Sequence, residues 1–106
     1  MNLDTDYATA FSIDGSGPPV ILVHGLGLNY EMWERQVIDL TRYFTVLRYD
    51  LLGHGRTPDP IAELCIESFI DQLIKLIELN NFDNFALVGF SFGGMIFFQR
   101  RTQDLN

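Results

Sequence analysis

The chain has 106 residues, 47% of them hydrophobic, and a formal net charge of −7. One domain of that length with that much apolar content can build a modest core, which excludes a disordered polypeptide. Lys75 is the only lysine, so no basic patch exists to neutralise phosphates, and nucleic acid and anionic membrane surfaces are excluded as partners.

Cys65 is the only cysteine, which rules out an internal disulfide and any multi-cysteine metal site. It is expected to serve as a small core hydrophobe. The first six residues, Met1 to Asp6, are acidic and lack the positive-then-apolar order of an export signal. No apolar run approaches membrane-spanning length. The expected compartment is the cytoplasm.

In chain order, Tyr7 to Ile13 alternates loosely and reads as a strand near a sheet edge, followed by a turn from Asp14 to Pro19. Val20 to Val23 is continuously apolar and β-branched, as in a strand covered on both faces. It ends in the loop His24-Gly25-Leu26-Gly27. From Asn29, a plausible cap, Trp33, Val37, Leu40 and Phe44 recur at helical spacing. Thr45 to Asp50 reads as a strand and Leu51 to Pro60 as a long loop. The next helix is the clearest element. Ile66, Phe69, Ile70, Leu73, Ile74 and Ile77 form one stripe, Glu67, Asp71, Lys75 and Glu78 oppose it, and Asn80-Asn81 ends it. Phe85 to Val88 is the last strand.

Strands alternating with helices predict an α/β fold, a mostly parallel sheet with helices on both faces. Ligands of such sheets sit beyond the carboxyl ends of the strands. Three loops leave those ends: the His24–Leu28 loop, the Leu51–Pro60 loop, and Gly89-Phe90-Ser91-Phe92-Gly93-Gly94. The last runs from a strand into the helix-like Met95 to Phe98. In that context G-x-S-x-G marks a strained turn that presents a nucleophilic serine, with small residues two positions to either side to avoid collisions.

These motifs, together with Trp33 and Tyr49-Asp50-Leu51-Leu52-Gly53-His54-Gly55-Arg56-Thr57, resemble the N-terminal part of an α/β-hydrolase. The likeness runs from about Ile13 to Phe98, and the run from Trp33 through Arg48-Tyr49-Asp50 to Gly53-His54-Gly55 is similar to bacterial enol-lactonases and carboxylesterases. It implies that Ser91 is the nucleophile and that the backbone N–H groups of Leu26 and Phe92 form the oxyanion hole. It also implies cleavage of a small-molecule ester or lactone through an acyl-enzyme, with no cofactor and no metal. Phe90, beside the nucleophile, is a candidate to line the substrate pocket. His24 is read as shaping the oxyanion loop rather than as the base, His54 as a turn-stabilising side chain, and Asp50 as a cap of its own turn. A dinucleotide fold fits less well, because the third glycine expected after Gly25-Leu26-Gly27 is replaced by Tyr30.

In this family the triad order is serine, acid, histidine. The fifteen residues after Ser91 contain Asp104 and no histidine. Residues 1–106 are therefore expected to be the N-terminal portion of one hydrolase domain, truncated after the elbow helix, with the cap and C-terminal half absent. Alone it is expected to be a very poor hydrolase. The strand Phe85 to Val88 would then be a bare edge, inviting a complementing chain or self-association. The competing expectation is a non-catalytic protein of the same fold, a binding scaffold or an inactive remnant.

Overall fold

The computed structural model describes residues 2–3, 7–59, 65–91 and 93. The expected helix from Met95 to Phe98, Phe92 and Asp104 lie outside the described residues. The elements are β1 (Asn2–Leu3), β2 (Ala10–Asp14), β3 (Pro19–Val23), a 3-10 turn (Tyr30–Trp33), α1 (Glu34–Leu40), β4 (Thr45–Tyr49), α2 (Ile66–Leu79) and β5 (Ala86–Gly89). The strands form one sheet in the order β1-β2-β4-β3-β5. β3 runs parallel to both β4 and β5, whereas β2 is antiparallel to β4 and to β1.

Side-chain alternation along the two central strands divides the core into two layers. Ile21, Val23, Leu47 and Tyr49 face one way, onto Phe69, Ile70, Leu73 and Leu76 of α2. Val20, Leu22 and Val46 face the other way, onto Trp33 and Val37 of the α1 segment. Helices therefore cover both faces of the sheet. The continuous apolar runs of β3 and β4 follow from this double burial, since a strand exposed on one face would alternate.

The stretch from Asn29 begins more tightly than its periodicity predicts. Its first turn is 3-10, capped by the Asn29 side chain accepting from the Glu31 amide at 2.8 Å. Arg48 holds that turn to β4. Its guanidinium donates to Glu34 at 2.7 Å and lies 4.8 Å from the centre of the Tyr30 ring.

The α2 helix occupies the span its apolar stripe predicts. Asn80 donates from its side chain to the Leu76 carbonyl at 2.9 Å, and Asn81 takes a left-handed φ of +57°, ending the helix. Cys65 corrects an expectation. It is exposed, not buried, because it is the extended residue just before α2, with its Sγ 3.3 Å from the Ser68 hydroxyl. An apolar residue type does not decide burial at a helix entry, where backbone direction governs where the side chain points.

Among the described residues, β5 pairs on one side only, with β3. Its Val88 is 42% exposed. No described helix is long and apolar enough to cross a membrane.

Candidate active site

Because β3, β4 and β5 are parallel, their carboxyl ends share one rim of the sheet. The loops after β3 and β4 and the turn after β5 meet there.

The turn after β5 is tight and puts Ser91 in a left-handed conformation. The Phe90 amide donates to the Val23 carbonyl at 3.0 Å, which extends the β3–β5 ladder to the apex. Ser91 follows with φ +55°, and the Gly93 amide then closes the turn onto the Phe90 carbonyl at 3.0 Å. A left-handed serine costs roughly 1–2 kcal/mol and persists only where the surroundings enforce it. Gly93 shows why the flanking residue is small. A Cβ there would lie 2.6 Å from the Val23 carbonyl oxygen. Ser91→Gly is accordingly expected to be about 1 kcal/mol more stable than Ser91→Ala, because glycine relieves the positive φ and alanine does not. Paired urea denaturation curves measure the difference.

The loop after β3 packs directly on this turn. A Cβ on Gly25 would meet the Phe90 ring at 3.0 Å and the Phe90 carbonyl oxygen at 3.3 Å, so the close approach depends on glycine. Phe90 itself is half exposed at the rim. In this loop the Leu28 amide donates to the Gly25 carbonyl and the Gly27 amide donates to His54. The intervening Leu26 amide has no acceptor among the described residues. The expected second oxyanion donor, the Phe92 amide, lies outside them.

Asp50 organises the loop after β4. It is 3% exposed, and its two carboxylate oxygens accept from the amides of Tyr30 at 2.8 Å and Arg56 at 3.0 Å. The cap expected from the sequence is present, and it also reaches across to the 3-10 turn. Gly55, at φ +51°, leaves room for the carboxylate, since a Cβ there would lie 2.3 Å from Oδ2.

Behind this loop is a buried polar hub that the sequence reading missed. The Gln72 side chain of α2 accepts from the Leu52 amide at 3.2 Å and donates to the Asp50 carbonyl and the Thr9 hydroxyl, both at 3.0 Å. Thr57 accepts from the Ala10 amide at 2.9 Å and donates to the Asp50 carbonyl at 2.8 Å. The only available signal was a glutamine directly beside the apolar stripe of α2, between Asp71 and Leu73.

Neither histidine is free to act as a base toward Ser91. His24 accepts from the Leu51 amide at Nε2, 3.0 Å, and donates from Nδ1 to the Gly25 carbonyl, 2.7 Å. His54 accepts from the Gly27 amide at Nε2, 3.0 Å, and donates from Nδ1 to the Leu52 carbonyl, 2.9 Å. Each imidazole lone pair already faces an amide hydrogen. The Ser91 hydroxyl has no hydrogen-bond partner among the described residues.

Comparison with known proteins places this geometry in a family. Residues 18–99 match the α/β-hydrolase fold family. An uncharacterized protein of Mycobacterium tuberculosis is 36% identical over 93 residues, covering 88% of this chain and 27% of that one. An (E)-2-((N-methylformamido)methylene)succinate hydrolase of Acinetobacter baylyi is 28% identical over 91% of this chain and 36% of its own. Among solved structures, the enol-lactonase of Burkholderia xenovorans LB400 superposes with a TM-score of 0.78 at 32% identity. That match covers 83% of this chain and 35% of the enzyme. A thermophilic esterase of Thermogutta terrifontis gives 0.79 at 35% identity, over 85% of this chain and 34% of that one. The chain belongs to the α/β-hydrolase fold family, and it spans between a quarter and two fifths of the length of these relatives.

Proposed function

We propose that Ser91 is the nucleophile of a serine hydrolase that cleaves a small-molecule ester, lactone or related carbonyl bond. The observation that carries this reading is the left-handed serine at the strand-to-turn apex, packed against a loop whose Leu26 amide has no acceptor among the described residues. The relatives include an enol-lactonase and an esterase, which supports carboxylic ester and lactone carbonyls as the substrate class.

In the reaction, Ser91 Oγ adds to the substrate carbonyl carbon while a base takes the hydroxyl proton. The carbonyl oxygen becomes an oxyanion and accepts from the amides of Leu26 and Phe92. Collapse breaks the bond to the alcohol oxygen, which leaves with the proton, and an acyl group remains on Ser91. Water then repeats the addition and frees the acid. With His24 and His54 both engaged by backbone amides, no described histidine supplies the base. Among the described residues β5 pairs only with β3, and its other side is where a continuation or a complementing chain would join the sheet.

Steady-state and stopped-flow hydrolysis of p-nitrophenyl acetate tests the reading, with the protein purified together with any chain that copurifies with it. A burst of p-nitrophenol is expected from the parent sequence and none from Ser91→Ala. Hydrolysis that persists in Ser91→Ala overturns it. Leu26→Pro removes one oxyanion donor and is expected to lower kcat by about 10²-fold. Leu26→Ala, which keeps the N–H and truncates a side chain that is 59% exposed, is expected to change kcat little. The same assay measures both.

A further inference from the structure

The two histidines lie on neighbouring loops, and each holds the backbone of the other's loop. His24, after β3, receives the amide of Leu51 after β4, while His54, after β4, receives the amide of Gly27 after β3. Their ring centroids are 5.2 Å apart. A carbonyl oxygen can only accept and an amide can only donate. Both rings must therefore carry their proton on Nδ1 and a lone pair on Nε2.

We propose that His24 and His54 form a reciprocal, proton-sensitive clasp that positions the Leu26 amide against the elbow. The inference deepens the reading of Leu26 as an oxyanion donor and rests on it. Gly27 directly follows Leu26 and adopts φ +79° with open space around it, so packing does little to hold this part of the loop. The bond to His54 supplies that restraint. His54 is in turn fixed by the Leu52 carbonyl, and the Leu51–Leu52 backbone by His24 and Gln72. The histidines are positioning residues, acting through the backbone.

Protonation opens the clasp. A proton on either Nε2 sets one N–H against another, and the cross-loop bond is lost. Among the described residues, Asp50 at the end of β4 acts on His24, and the Asp59 carboxylate lies against Gly53, next to His54. Burial lowers the pKa of His24. Its bond to the Gly25 carbonyl opposes that shift, the neighbouring His54 adds to it, and Asp50 opposes it. The fold thus favours the neutral His24 ring, and on acidification the unfolded chain takes up that proton first. Stability from this group is complete above the ordinary imidazole value of 6.5 and declines as pH falls below it.

The test is nitrogen-15 NMR on the full chain between pH 8 and pH 5, reading imidazole tautomers and hydrogen-exchange protection of Gly27 and Leu51. At pH 8 both rings should be Nδ1–H tautomers. As pH falls below 6.5, Leu51 protection should fall, by up to about tenfold, the equivalent of one hydrogen bond. His54→Gln places a non-titrating acceptor near the Nε2 position and should keep Gly27 protected at both pH values, whereas His54→Ala should leave it unprotected at both. The Leu47 amide in β4 reports that each variant is folded. An Nε2–H tautomer or a charged ring at pH 8 in the parent protein overturns the clasp, whatever the variants do. So does equal Gly27 protection in parent and His54→Ala. Neither readout uses Ser91, so failure of the clasp and failure of the nucleophile assignment are separate results.

Discussion

Replacing Asp50 by alanine is expected to lower the stability of the folded protein by about 3–5 kcal/mol. Hydrogen bonds to a charged acceptor contribute about 1.5–3 kcal/mol each, and this carboxylate accepts from the amides of Tyr30 and Arg56. The loss reaches past the contacts themselves. The Tyr30 amide opens the turn that leads into α1, and the Arg56 amide closes the loop that presents His54. Removing the carboxylate loosens both sides of the rim together. Asp50→Asn keeps one acceptor oxygen and turns a donor toward the second amide, so about half of that loss is expected. Urea midpoints with unchanged m-values measure both variants. A change below about 1 kcal/mol for Asp50→Ala would mean that water replaces the carboxylate without cost.

Gln72→Leu is the second large effect, expected at about 2–4 kcal/mol. Leucine nearly matches the volume, but it strands the Leu52 amide in a site where Gln72 has no exposure. The Asp50 carbonyl suffers less because it keeps the Thr57 hydroxyl. Gln72→Glu separates packing from polarity. Its carboxylate could still accept from Leu52, but it would confront the Asp50 carbonyl at the position where the amide group now donates. The cost at pH 7 should exceed that of Gln72→Leu, and it should shrink on acidification as the introduced carboxyl takes up a proton and regains a donor. Denaturation midpoints at pH 7 and pH 5 for the two variants decide this. The Asp50 and Gln72 effects will not add, since both act on the same loop.

The contrast between Asp50 and Gln72 shows where sequence reading works. Features set by local periodicity were legible. The apolar stripe of α2 and the continuous runs of β3 and β4 fell close to their observed bounds, because each is burial repeated at a fixed spacing. Asp50 is legible as a cap because a carboxylate at a strand end has few local alternatives, and its bond to Arg56 spans only six residues. The rim was legible for another reason, since parallel strands place all their following loops at one end. Gln72 was not legible. Its partners are Thr9, Asp50 and Leu52, as far as 63 residues away in sequence, and nothing in the local pattern selects them. The same holds for His54. Two flanking glycines marked a turn, but its bond to Gly27 exists only once β3 and β4 are paired. Cys65 is the opposite case, since its residue type suits a core while the backbone direction at the helix entry turns it to solvent.

At Ser91 the motif defined an elbow and the fold supplied its strained φ and the loop beside it. The measurement that tests the account most directly is tandem mass spectrometry of the adduct formed with a fluorophosphonate probe. The probe is applied in lysate of cells that make the protein, so that any polypeptide supplying a base is present. The account predicts a single phosphonyl adduct on Ser91, absent in Ser91→Ala. An adduct on another residue, or labelling undiminished in Ser91→Ala, contradicts it.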